Sequence, residues 1–130
     1  MDEATGAEVR RFILTSIPSV PHLETLLLLL RERNREWDAA GVAHRIYVPE
    51  KTAAAVLADL GASGLLACDD QLRRCRFDAT REALAALVGR LDAEYARDLV
   101  GVTRLIHSRS SRQAQAFADA FKFRKDTDHG

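Results

Sequence analysis

Cys68 and Cys75 carry the most specific chemistry in this 130-residue chain, and they are its only cysteines. Two are too few for a disulfide framework, and neither has a histidine neighbour at zinc-finger spacing. They lie in Leu65-Leu66-Ala67-Cys68 and Arg74-Cys75-Arg76-Phe77, on either side of Asp69-Asp70-Gln71-Leu72-Arg73. That pattern predicts two short strands around a turn. With the turn at Gln71-Leu72, Cys68 faces Cys75 and Leu66 faces Phe77, all four on the inner face. Directly opposed residues have the separation a disulfide needs, so one reading of the pair is a redox switch. The other, commoner for such residues, is two small buried apolar side chains.

The remaining reactive side chains are dispersed. His22, His44, His107 and His129 make no metal-ligand pair at i, i+3 or i+4. Gly61-Ala-Ser-Gly64 lacks the Lys-Ser/Thr of a phosphate loop and follows a helix, not a strand. Ser108-Arg-Ser-Ser111, with Arg112, fits either an anion or phosphorylation site or a solvated helix break. No carboxylate pairs with a nucleophile or base at a spacing that implies catalysis. The expectation is a protein that is not an enzyme and holds no metal or cofactor.

Nineteen basic and nineteen acidic residues cancel, so nucleic-acid binding would have to come from a local patch. One such patch is the tail, where Arg104, Arg109, Arg112, Lys122, Arg124 and Lys125 face Asp119 alone. The start is acidic and then basic without an apolar core, the wrong order for a secretory signal. The longest strictly apolar run, Leu26 to Leu30, falls far short of the roughly twenty residues that span a bilayer. Cytoplasmic placement without membrane insertion is expected. The Ala, Leu and Arg bias with few Lys fits a GC-rich bacterial genome.

Periodicity predicts the elements that position these residues. Val9 to Ile17 alternates poorly and fits a short helix or a strand. Ser19 can cap a helix with Pro21 in its first turn, and Leu23, Leu26, Leu27 and Leu30 give it one apolar face to about Asn34. Asp38 reads as the cap of a short helix, Ala39 to Ile46. Pro49 separates this from a second, ending at Gly61, whose inner face is Ala53, Val56, Leu57 and Leu60. After the hairpin, with Asp78 or Thr80 as cap, Leu84, Leu87, Val88, Leu91, Tyr95, Leu99, Val102 and Ile106 form one stripe over about seven turns. Ser108 to Ser111 should interrupt it, and a last helix, Arg112 to about Phe123, should follow.

Two short helices, the second ending in TAAAVLADLGASGLL, followed by a hairpin, resemble the winged helix-turn-helix of MarR- and ArsR-type bacterial transcriptional regulators. The resemblance covers about Ser19 to Asp78. It implies a mainly α fold: a winged helix-turn-helix with a small β-hairpin wing, then a long C-terminal helix and a short terminal one. It also implies that the second short helix enters a major groove of double-stranded DNA. Lys51 and Thr52 would read bases there, while Arg45, Arg73, Arg74 and Arg76 would hold the backbone. Three departures weaken this: Ala54 and Ala55 offer at most a thymine methyl contact, Glu50 and Asp59 repel phosphates, and Asp69, Asp70 and Asp78 lie beside the wing arginines.

The implied organisation is an N-terminal segment, 1–18; the winged unit, 19–78; long and terminal helices, 79–123; and a disordered tail, 124–130. The apolar stripe exceeds what a unit of this size covers alone. A homodimer through Leu84, Leu91, Leu99, Val102, Phe117 and Phe121 is therefore expected, with folding back over Phe12-Ile13-Leu14 as the rival. The function expected is a DNA-binding transcriptional regulator acting as a homodimer. The alternative is a winged-helix interaction module that binds a protein through its C-terminal helices.

Overall fold

A computed structural model describes residues 3–128, and side chains for 6–109, 115, 116, 118 and 119. The described chain is mainly helical, with six helices and one two-stranded antiparallel sheet. In order these are α1 (Glu3–Ser16), α2 (Val20–Arg31), α3 (Ala39–Ile46), α4 (Glu50–Ala62), β1 (Ala67–Cys68), β2 (Cys75–Arg76), α5 (Glu82–Arg97) and α6 (Leu99–Asp128).

Local chemistry sets the first boundaries. Ser19 stands in extended backbone before α2, and its side chain accepts from the His22 N–H at 3.3 Å, satisfying one of the free donors at the helix start. Asp38 does the same for α3, accepting from the Gly41 N–H at 2.8 Å. Leu23 to Leu29 are all buried except Glu24. A helix apolar nearly all round must lie at the centre, and α2 packs on α3, α4 and α5. It ends at Arg31, short of the expected Asn34.

The N-terminal segment, left between helix and strand by its sequence, is the helix α1. Val9, Ile13 and Ile17, four residues apart, are buried at 3%, 1% and 0% exposure. The helix they form covers α5 and α6. Arg90 of α5 holds Glu8 of α1 at 2.9 Å, and Tyr95 donates to Glu24 of α2 at 3.1 Å. Arg31 of α2 binds Asp92 of α5, contacting one carboxylate oxygen through Nε at 3.1 Å. These polar links flank the apolar contact and fix the rotation of α5.

The C-terminal helices depart from expectation in two ways. The break falls at Asp98, where the Asp98 carboxylate accepts from the Gly101 N–H at 3.0 Å and its carbonyl accepts from the Val102 N–H at 3.1 Å. Asp98 thus caps a new helix within the apolar stripe. Ser108 to Ser111 do not interrupt anything: the Ser108 hydroxyl donates to the Leu105 carbonyl within α6 at 2.8 Å. The order is therefore a 16-residue helix and then a 30-residue one, the reverse of long then short. Helix α6 continues to Asp128, through most of the tail expected to be disordered.

The second departure concerns what covers the stripe. Leu91 and Val102 are 0% and 4% exposed within the single chain, so they are core residues and cannot reach a partner's surface. Helix α1, unassigned in the sequence, supplies the missing apolar area. Leu84 is half-buried, and Leu99 is the exposed member of the set at 55%. The side chains of Phe117 and Phe121 lie outside the described residues.

Candidate nucleic-acid interface

Helices α3 and α4 are joined by Tyr47-Val48-Pro49, and α4 runs back across α2 and α3. Ala53, Val56, Leu57 and Leu60 of α4 face inward, leaving Glu50, Lys51, Ala54, Ala55 and Asp59 exposed and Thr52 half-buried. The hairpin follows directly. Its tip, Gln71-Leu72-Arg73, and α4 residues Glu50, Ala54 and Ala58 line one shallow groove of about 380 Å³. That groove places the exposed face of α4 beside the hairpin tip.

Close approach of hairpin and helix depends on Gly61. A Cβ there would lie 2.7 Å from the Cys68 sulfur and 2.9 Å from a Leu72 methyl, so only hydrogen fits without moving the strand. The turn itself is held by Asp69, whose carboxylate accepts from the Arg73 N–H at 2.8 Å. That bond, with a second from the Arg74 N–H, holds the Asp69 carboxyl below its usual range despite full exposure. Leu72 takes the left-handed conformation at the tip, φ 57°.

Strand register is as the sequence implies, with Cys68 opposite Cys75. The two sulfurs are joined as a disulfide. Cys75 spends its own N–H and C=O on Trp37, at 2.9 and 2.7 Å. Cys68 and Cys75 are therefore a non-hydrogen-bonded pair, the kind in which facing side chains come closest. Cys75 is fully buried, and Cys68 is partly so. The bond closes a short loop, seven residues apart. By the chain-entropy argument, reduction should lower stability by about 2–3 kcal/mol. Urea unfolding with and without a dithiol reductant measures this, and superimposable curves would count against it.

The expected contact residues are distributed unevenly. Arg73, Arg74 and Arg76 are exposed, and none of their guanidinium groups makes a hydrogen bond or ion pair among the described residues. Lys51 is likewise exposed. Arg45 is already engaged: it binds Glu32 at 2.6 Å and lies 5.4 Å from the Trp37 ring. It is a structural bridge first, with 46% of its side chain exposed.

One polar cluster has no counterpart in the sequence reading. His22, 9% exposed, sits between Ser19 and Asp59, with Nδ1 2.5 Å from the serine hydroxyl and Nε2 2.8 Å from the carboxylate. The three residue types are those of a nucleophilic triad, but Ser19 is committed to capping α2, and neither described groove is lined by any of them. The cluster ties the start of α2 to α4, and Asp59 stays largely exposed while holding His22. Only a contact across 37 positions creates it, so no local signal announces it. Among the described residues, no group of three His, Cys, Asp or Glu side chains could hold a metal ion. No single described helix is long and apolar enough to cross a membrane.

No family model matches the chain, and neither curated proteins nor solved structures yielded a match.

Proposed function

We propose that residues 19–78 form a winged helix-turn-helix and that the chain binds double-stranded DNA, gripping phosphates from the hairpin more than reading bases from α4. The supporting observation is the trio Arg73, Arg74 and Arg76: exposed, with guanidinium groups that make no hydrogen bond or close ion pair among the described residues, though Asp69 and Asp78 lie within electrostatic reach of Arg73 and Arg76, and on a hairpin whose tip lies beside α4. Trp37 adds to this reading, because a single antiparallel bridge joins it, between α2 and α3, to Cys75 of the hairpin. Phosphate contacts position a protein without specifying sequence, which suits a helix that presents Ala54 and Ala55 to the groove. In this reading the protein is a cytoplasmic regulator of transcription. A homodimer would use Leu99 and Val100, 55% and 58% exposed at the α5–α6 corner, together with the distal part of α6.

Fluorescence anisotropy of a labelled duplex between about 50 and 200 mM salt is the test. Affinity should fall steeply with salt. The triple variant Arg73→Ala, Arg74→Ala, Arg76→Ala should lower affinity by about tenfold or more for every duplex, and flatten the log–log slope by about 2–3. No binding at micromolar protein in low salt, or an unchanged triple variant, would sink the proposal.

A second reading, a protein-interaction module, rests on Tyr47. Its side chain is 93% exposed and its backbone is left-handed, φ 60°, a conformation costing roughly 1 kcal/mol for a non-glycine residue. That conformation closes α3, with the Tyr47 and Val48 N–H groups donating to the Ala43 carbonyl, so the reading rests on the exposed ring alone, an aromatic anchor of the kind that fills a partner's pocket.

A further inference from the structure

A broad, open groove lies between α1 and α6, and no residue of the hairpin or of α4 lines it. It encloses about 780 Å³, within the size range of sites for small molecules. Its floor is apolar: Val9, Ile13 and Val102, all buried, and half-buried Leu105. Two cations, Arg10 and Arg104, stand on its rim, both exposed and neither making a hydrogen bond or ion pair within the described residues. The two acids on the rim are already occupied. Glu94 binds Arg97 at 2.6 Å, and Asp98 caps α6 through the Gly101 N–H at 3.0 Å. Neither acid lies within ion-pair distance of a rim arginine among the described residues, so the groove pairs an apolar trough with two guanidinium groups free to take an anion.

We infer that this groove binds a small amphipathic carboxylate, an aliphatic or aromatic acid, with its apolar body along Val9, Ile13 and Val102 and its carboxylate held by Arg10 and Arg104. Guanidinium groups match carboxylate oxygens in geometry as well as charge. Charge favours this occupant over a second copy of the chain. A symmetric contact centred on the groove would bring each arginine pair against its own copy, with the local carboxylates already committed. Ala7 lines the trough with the smallest of side chains, so a large residue there would take up its volume. The inference stands independently of DNA binding, because none of its residues belongs to the hairpin or to α4.

Isothermal titration of the full chain with decanoate, and with decanol as the uncharged match, tests it. Decanoate below its micelle concentration should bind saturably at one site per chain, at least tenfold more tightly than decanol. Arg10→Gln and Arg104→Gln should each weaken decanoate about tenfold and leave decanol unchanged, with an unaltered melting temperature, as both side chains are exposed and unpaired. Ala7→Trp should fill the trough and abolish binding of both. The inference is overturned if decanoate gives no saturable heat at millimolar concentration, if decanol binds as tightly, or if the arginine variants bind like the parent. It is equally overturned if the chain sediments as a dimer whose groove admits decanoate only on dissociation.

Discussion

Leu91→Asp should leave the chain largely unfolded at room temperature. Leu91 is 0% exposed on the face of α5 that meets α2 and α1, beside Val88, also 0% exposed. Removing a buried leucine side chain costs about 2–5 kcal/mol. Placing a carboxylate there without a partner adds several more, since the one neighbouring cation of α2, Arg31, is already bound to Asp92. A domain of this size has a margin of about 5–15 kcal/mol, so the combined loss consumes most or all of it. Leu99→Asp, read at a protein concentration low enough to keep the chain monomeric, is the matched control: with Leu99 55% exposed within the chain, the same change should shift monomer stability by no more than about 0.5 kcal/mol. Far-ultraviolet circular dichroism during urea titration of both variants reads the contrast. If Leu91 instead contacted a partner chain, the variant would remain a folded monomer, and the parent's melting temperature would rise with protein concentration. That outcome would return the stripe to an interface between chains.

That comparison also marks how far the sequence reached. Features decided within a few residues were legible: Ser19 and Asp38 as caps, the inner face of α4, and the hairpin register that sets Cys68 against Cys75. Each depends on a side chain meeting backbone or a neighbour close in sequence, so spacing carries the information. The break at Asp98 was obscured because an aspartate on the outer flank of an apolar stripe reads as an ordinary solvated position. What identifies it is Gly101, where a Cβ would lie 2.2 Å from an Asp98 carboxylate oxygen. A larger residue there would make that carboxylate shift from its present place over the helix start. The burial of Leu91 and Val102 was hidden for a different reason. An amphipathic stripe reports that something covers it, but α1 and a second chain leave the same periodic signature. The candidate contact surface was legible as residue types, and its hairpin arginines are exposed. What the sequence concealed were the non-local partners, Glu32 for Arg45 and His22 for Asp59.

Trp37→Ala should cost about 3–5 kcal/mol and loosen the hairpin from the helices, although the residue is only 2% exposed. Its backbone makes both hydrogen bonds to Cys75, and alanine keeps these. The loss comes from the ring. The indole packs 3.3 Å from where a Gly41 Cβ would stand. Arg35 lies 3.8 Å from the ring centroid and Arg45 5.4 Å. Removing the indole opens a cavity under β2 and deprives the Arg45–Glu32 pair of the surface it rests on. Trp37→Phe separates packing from hydrogen bonding. The indole N–H is buried without a partner, so phenylalanine gives up no hydrogen bond and removes an unsatisfied donor. This variant should therefore stay within about 1.5 kcal/mol of the parent. Urea unfolding followed by circular dichroism, since Trp37 is the only tryptophan, gives both values. Under the proposed DNA-binding reading, and at a temperature where each variant remains folded, Trp37→Ala should also weaken duplex binding, with Trp37→Phe close to the parent, because the buried ring anchors the backbone bridge that ties Cys75 of the hairpin to Trp37. An alanine variant within about 1 kcal/mol of the parent would contradict the packing argument, and one that binds duplex normally would show that the hairpin keeps its position without the ring.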